Sequence, residues 1–257
     1  MLFRSDICGI TLPITKHNYL VTRVQDIMPA IKEAFHLAKS GRPGPVLVDI
    51  TKDAQQASMD WEWDPSAVKM RGYRQRQRVG RGELQQAVDL VRASRKPVIL
   101  AGQGIIQSGA MKEVRAFAEM IDAPVAMTLL GLGGFPASHP LNIGMMGMHG
   151  EAWVNNAIQE ADLLLAFGMR FDDRGTGSLA TYARHAKKIH IDIDPSELNK
   201  NVVADAAILG DLRDTLRDML DIIEPIEHGA WRTHISSMKG NSAVRDIQTL
   251  PDNGHLY

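Results

Sequence analysis

The stretch Leu163-Leu164-Leu165-Ala166-Phe167, running on into Gly168-Met169-Arg170-Phe171-Asp172-Asp173-Arg174-Gly175-Thr176-Gly177, decides the reading of the fold. Its apolar residues do not alternate with polar ones, so the segment reads as a strand covered on both faces, the habit of parallel sheets. A glycine ends the run, and a dense group of arginine and aspartate follows. Charge therefore falls at the carboxyl end of a buried strand, where open α/β sheets bind their ligands. The other reading of this turn is a solvated, salt-bridged loop.

Working outward, apolar runs and helical periods alternate: helix 83–94, strand 97–101, helix 109–121, strand 124–128, helix 150–160, strand 162–167, strand 187–193 and helix 211–222. Such alternation predicts an α/β fold, a doubly wound parallel sheet with right-handed crossovers. The strands Pro97-Val98-Ile99-Leu100-Ala101 and Ile189-His190-Ile191-Asp192-Ile193 are apolar enough to be covered on both faces. Upstream, Ile27, Ile31, Ala34, Phe35 and Ala38 recur at helical spacing, and Ser40-Gly41 closes that helix. Pro45-Val46-Leu47-Val48-Asp49-Ile50 then reads as a fully buried strand in need of sheet neighbours, so residues 1–55 look like a partial α/β segment. Residues 56–82 are polar, hold Trp61 and Trp63, and read as a linker. A main domain is expected over 83–224, with a polar connector over 225–257 that completes no further element.

Composition narrows the class. A chain of 257 residues, 44% hydrophobic and 23% charged with net charge −1, is an ordinary globular sequence with no bias towards nucleic acid or membrane surfaces. The basic run 71–81, with Arg74, Arg76 and Arg78, lacks hydrophobic periodicity and reads as solvated linker. The single cysteine, Cys8, rules out a disulfide framework and a cysteine-based zinc site. The nine histidines show no paired ligand spacing, so no metal site is expected. No apolar run approaches the ~20 residues of a membrane span. The short run Ile10 to Ile14, broken by Pro13, is not a signal peptide. A reducing, cytoplasmic compartment is expected, with an organelle left open.

Several residues carry candidate chemistry. Gly102-Gln103-Gly104 follows a strand, but Gln107 stands where a dinucleotide fingerprint wants its third glycine. No acidic residue ends the next strand, and Asp122 precedes it, which disfavours a nicotinamide-dependent dehydrogenase. A glycine turn whose amides approach another nucleotide stays open. Asp192, Asp194 and Asp211 come at later strand ends, on the same expected rim as Gly104, Thr128 and Arg170. Arginine for a pyrophosphate, aspartate for ribose hydroxyls and main-chain amides for an adenine edge make the kit for an extended nucleotide such as FAD. Asp194 is equally explained by an Asx turn ahead of Pro195. Local sequence leaves His149, Met145, Met146 and Met148 open between packing and cofactor contact.

Five motifs then occur in order: GRPGPVLVDI (41–50) with Lys52 and Asp53; Thr128-Leu129 with Gly131-Leu132-Gly133; MGMHG (146–150); AFGMRFDDRGTG (166–177); and HIDIDPSELNKN (190–201). Together they resemble the catalytic subunit of the acetohydroxyacid (acetolactate) synthases, thiamin diphosphate-dependent enzymes, over residues 10 to about 217. The resemblance implies the end of a pyrimidine-binding domain (1–55), a linker, a whole Rossmann-like FAD-binding central domain, and a connector to a third, pyrophosphate-binding domain. The family's catalytic glutamate is expected upstream of Met1, and Glu33 is no substitute. The third domain's Gly-Asp-Gly…Asn-Asn metal motif is not met, since Gly210-Asp211-Leu212 lacks the second glycine and Asn155-Asn156 precedes it. A fragment without activity of its own is therefore expected, with no metal ligands.

Carried over position by position, the resemblance implies FAD contacts at Arg42, Gly102, Gln103, Gly104, Thr128, Leu129, Met146, Gly147, Met148 and His149. It adds Gly168, Met169, Arg170, Phe171, Asp172, Asp192, Ile193, Asp211 and Leu212. Gln103 departs from the glycine common in the family. Met148, Asp173, Arg174, Lys16 and Lys52 match positions lining the entrance for substrate. The implied reaction joins pyruvate to a second 2-ketoacid, pyruvate or 2-ketobutyrate, in branched-chain amino-acid synthesis. It uses thiamin diphosphate and Mg²⁺ in the full enzyme, and FAD there undergoes no net redox change. The implied assembly is a homodimer or homotetramer, with or without a regulatory subunit, and involves neither nucleic acid nor membrane. Two alternatives stay open: a non-catalytic FAD-binding module, and another thiamin diphosphate-dependent lyase or oxidase.

Overall fold

Parallel strands joined by helices make up both parts of the chain. The computed structural model describes residues 5–60, 62, 64–66, 68, 70, 72, 73 and 78–239; Trp61, Trp63, Arg71, Arg74, Arg76 and residues 240–257 lie outside the described residues. The chain divides between Arg76 and Gln77 into two units, taken in turn.

The first unit runs α1 (Ile7–Thr11), β1 (His17–Val21), α2 (Ile27–Lys39), β2 (Val46–Ile50) and α3 (Lys52–Gln56). β1 and β2 pair in parallel, from His17 opposite Val46 to Val21 opposite Ile50. α2 buries Ala30, Ala34 and Leu37, while Phe35, expected on the apolar face, is 69% exposed. β2 was expected to be fully buried, yet each of its residues is only half-buried. Its sheet has two strands among the described residues, and two strands cannot cover both faces.

The second unit comprises α4 (Arg81–Ala93), β3 (Pro97–Ala101), α5 (Gly104–Gln107), α6 (Met111–Met120), β4 (Val125–Met127), β5 (Asn142–Met145), α7 (Ala152–Glu160), β6 (Leu163–Phe167), α8 (Asp173–Thr176), β7 (Lys187–Asp192), β8 (Ala206–Leu209), α9 (Leu212–Leu220) and α10 (Gly229–Met238). Six strands lie in the order β5-β4-β3-β6-β7-β8, every adjacent pair parallel. Two cores sandwich the sheet. Ile99, Ala101, Leu163, Leu165 and Phe167 face one, with Val88 of α4, Phe117 of α6 and Leu216 of α9. Val98, Leu100, Leu164 and Ala166 face the other, with Val154 and Ile158 of α7 and Trp231 of α10. Covering on both faces is why these strands are uninterrupted apolar runs.

The structure corrects three expectations about elements. The helix expected over 109–121 is found as α6, whereas α5 before it was not anticipated; Gly109, at φ +66, separates the two. β1, the neighbour that β2 was expected to lack within this chain, was not anticipated, and neither were β5 and β8. Nor was α10, in the segment expected to add no element: Trp231 and Ile235 bury one face of it, and the Trp231 indole N–H donates to the Pro97 carbonyl at 3.0 Å. No described helix is long and apolar enough to cross a membrane.

Candidate functional site

The chain leaves β3 for β4 and β5 on one side, then returns to β6 on the other, so the winding reverses between β3 and β6. Open α/β sheets bind ligands at the carboxyl end of such a reversal. Ala101 lies opposite Phe167, which brings Gly102 and Gly168 side by side. Gly102 N–H donates to the Phe167 carbonyl (3.0 Å) and Gly104 N–H to that of Gly168 (2.9 Å). A Cβ on Gly102 would stand 2.2 Å from Gly168 O, and one on Gly104 2.6 Å from Gly168 Cα. Only glycine permits this approach of main chain to main chain.

The neighbouring strand ends extend the edge. Thr128, after β4, accepts the Gly131 N–H on its hydroxyl at 3.1 Å, and Leu129 beyond it is 64% exposed. Asp192 ends β7, is 9% exposed, and accepts the Asp194 N–H at 2.8 Å. Asp194 in turn accepts the Ser196 N–H at 2.9 Å, the Asx turn the sequence allowed. Ile193 is exposed. Arg170 and Asp172 form a surface pair at 3.2 Å, and Asp172 also accepts the Gly175 N–H at 3.1 Å. Met146, Met169, Phe171 and Leu212 are buried in the cores, so their main chain alone reaches the edge. Asp211 caps α9 by accepting the Arg213 and Asp214 amides, at 2.9 and 3.2 Å.

Beyond β5 the structure brings together three residues expected at the substrate entrance. Met148 N–H donates to the Arg174 carbonyl at 2.9 Å, and Arg174 Nη1 donates to Met148 Sδ at 3.5 Å. Arg174 Nε lies 3.9 Å from Asp173 Oδ2, the two side chains 70% and 80% exposed. Gly147, at φ +93, carries the approach, since a Cβ there would stand 2.6 Å from Arg174 O. Met148 and His149 are exposed. Arg42, Lys16 and Lys52 belong to the first unit. The Lys16 ammonium donates to the Leu37 and Ser40 carbonyls, at 2.6 and 2.7 Å, at the end of α2.

Residues 84–219 match the family profile "Thiamine pyrophosphate enzyme, central domain". The chain belongs to this thiamine pyrophosphate enzyme family. The acetolactate synthase large subunit of Corynebacterium glutamicum is 49% identical to it over 217 residues, 84% of this chain and 34% of that protein. The acetolactate synthase of Arthrospira platensis is 47% identical over 219 residues, 84% of this chain and 38% of that protein. The chain thus spans about a third of the length of these relatives. Its fold is shared with the crystal structure of benzoylformate decarboxylase from Polynucleobacter necessarius, with a TM-score of 0.74, 24% identity, and 90% of this chain and 43% of that one covered.

Within this thiamine pyrophosphate enzyme domain, two residues support the edge without having been singled out from sequence. His190, fully buried in β7, meets the Met169 carbonyl at 2.9 Å through Nε2 and Phe171 edge-on. Burial holds its imidazole below the ordinary histidine range, against the opposing pull of the Met169 carbonyl and Asp192. The Asn155 side chain, from α7, meets Gly147. An apolar neighbourhood on both sides marked His190 as a strand residue, and nothing in the spacing marked Asn155.

Proposed function

We propose that this chain carries the FAD-binding central domain of an acetolactate synthase, the enzyme joining pyruvate to a second 2-ketoacid. One observation carries the reading: the carboxyl edge joins a glycine-only main-chain crevice to exposed apolar groups and an exposed Met148–Arg174 pair. Sequence identity of 49% to an acetolactate synthase large subunit supports it. In domain terms, residues 1–55 would end a pyrimidine-binding domain and 56–82 form a linker. The central domain would span 83–224, with α10 packed on it, and the remainder of 225–257 would lead onward.

The edge suits an extended flavin nucleotide. Gly102, Gly104 and Gly168 let the turns after β3 and β6 close on one another where a Cβ would collide; the Gly102 and Gly104 amides bond within that closure, so the pyrophosphate is assigned to the exposed Arg170 beside it. Leu129, Met148 and Ile193 offer exposed apolar contact for flat rings. Arg170 and Asp192 supply charge and a ribose acceptor, with Gln103, Thr128, His149 and Asp172 beside them. FAD in this reading is a structural cofactor. Thiamin diphosphate and Mg²⁺ are assigned to the longer enzyme; here Asp211 serves as a helix cap, accepting the Arg213 and Asp214 amides. In the longer enzyme thiamin diphosphate supplies the decarboxylation chemistry.

Arg174 has a role that follows from the substrates. The donor ketoacid loses its carboxylate as carbon dioxide, whereas the acceptor keeps its own. A guanidinium at the mouth binds that carboxylate and orients the neighbouring carbonyl for attack. Asp173 and Met148 hold the guanidinium. We further propose a cytoplasmic, membrane-free enzyme that assembles as a homodimer or homotetramer, with a regulatory subunit as a further partner.

Flavin titration tests the reading. The chain should quench FAD fluorescence saturably, and Arg170→Ala should weaken binding about tenfold, as for one charge-assisted contact. Supplied with pyruvate, thiamin diphosphate and Mg²⁺, the chain alone should form no acetolactate. Absence of saturable flavin binding, or acetolactate from this chain alone, would contradict the proposal.

A further inference from the structure

Asn155 stands on the first turns of α7, and its carboxamide meets both main-chain groups of one residue. Its Oδ1 accepts the Gly147 N–H and its Nδ2 donates to the Gly147 carbonyl, each at 2.9 Å. The Gly147 carbonyl also accepts the Gly150 N–H at 2.9 Å. Gly147 sits at φ +93 with its Cα against the Arg174 carbonyl, a conformation few other residues could share. The next residue, Met148, donates its N–H to that same carbonyl and takes the Arg174 guanidinium on its sulfur.

From this geometry we infer that Asn155 is a positioning residue: it fixes Gly147 by a two-point amide clamp and thereby sets Met148 beside Arg174. A planar carboxamide presents one donor and one acceptor side by side, matching the N–H and C=O of a single residue. Serine has one oxygen and cannot serve both, and a carboxylate has no donor. A protonated carboxylic acid, by contrast, has the donor–acceptor pair and nearly the shape of the amide. Asn155→Asp should therefore close the clamp as the acid and open it as the anion, where the carboxylate faces the Gly147 carbonyl. Its bearing on substrate rests on the acetolactate synthase reading; the clamp itself does not.

The groups that titrate or carry charge around this turn are Glu151 at the N-cap of α7, His149 in the turn, and Asp172, Asp173 and Arg174 at α8, so the unmodified chain is followed over the same pH range. The signal is the Met148 methyl resonance in the methyl-labelled 257-residue chain, assigned by Met148→Leu. It should hold its wild-type position in Asn155→Asp at pH 3, below the ordinary aspartate range of about 4, move at pH 8, and be displaced in Asn155→Ala at both. The buried Met127 and Met219 methyls should stay in place and report an intact fold. An Asn155→Asp signal at the wild-type position at pH 8, or displaced equally at both pH values, overturns the inference. Should that variant fail to fold, amide exchange in the unmodified chain decides: Gly147 should exchange about tenfold or more slowly than His149, in keeping with its bound N–H, and equal rates overturn the clamp. None of these signals needs flavin, so failure of FAD binding leaves the result standing on its own.

Discussion

The carboxyl edge of the sheet is closed in two contrasting ways. Between β3 and β6 main chain meets main chain at Gly102, Gly104 and Gly168, with fully buried strands behind. Beyond β5, Gly147 again lets main chains touch, but the residues it presents, Met148 and Arg174, are exposed. The first closure leaves no room for a side chain and is part of the core. The second is a platform held by one carboxamide and a few hydrogen bonds, and its outward groups are free to serve a ligand. Substitutions should separate the two: stability is lost at the first, and function at the second.

The largest effect is expected at the crevice. Gly102→Val would force a side chain onto the Gly168 carbonyl, and the clash is with main chain, which cannot swing away. The loss should be about 3 kcal/mol or more, read from the urea midpoint of the chain. A midpoint unchanged within error would mean that the crevice is looser than described.

At the platform the expected effect is on substrate. Under the proposed acetolactate synthase reading, Arg174→Ala in the whole enzyme should weaken capture of the acceptor ketoacid by about ten- to a hundredfold, roughly 1.5–3 kcal/mol for a charge-assisted contact. Melting temperature and bound flavin should hardly change, because the side chain is 70% exposed. Arg174→Lys should restore part of the loss, since an ammonium lacks the planar fork. If acceptor KM stays constant while flavin is lost, Arg174 merely braces the turn, and the contrast between the two closures fails.

A smaller effect, through pH, is expected behind the first closure, where His190 meets the Met169 carbonyl. Burial depresses the His190 pKa in the folded state, so the unfolded chain takes up the proton first as pH falls. The neutral ring's contribution is fully present above the ordinary histidine range, about 6.5, and is lost as pH drops towards the folded value. Between pH 7 and pH 5 this loss cannot exceed about 2 kcal/mol. His190→Gln keeps an N–H for the Met169 carbonyl without titrating, and should flatten that limb of the stability curve. An identical acid limb in variant and wild type would remove His190 from the account.

The strands buried on both faces were the legible part of the sequence. β3, expected over 97–101, is found at Pro97–Ala101, because an uninterrupted apolar run bounded by Lys96 and Gly102 leaves few alternatives. β5 was missed because Asn142 and a glycine at φ +97 break its pattern. β8 is four residues of small and aliphatic side chains, too short to show a period. α10 is anchored by buried Trp231 and Ile235, with Met238 partly buried at its end, amid polar residues. Sequence placed Gly104, Thr128, Arg170 and Asp192 on one rim because strand ends and turn residues signal position. It could not tell that Leu212 points into the core, that Lys16 caps a helix, or that Asn155 grips Gly147. Each of those facts is a contact between a side chain and distant main chain, and no local pattern encodes it.

The central claim is that flavin lies along the carboxyl ends of β3 to β7. Titrating FAD into the isotopically labelled chain and following amide and methyl resonances tests it most directly. Saturable shifts should concentrate at Gly104, Leu129, Met148, Arg170 and Ile193, while Pro97-adjacent Val98, Leu163 and Lys188 at the opposite strand ends stay still. Shifts gathered at those opposite ends, or no saturable change at either, would contradict the account.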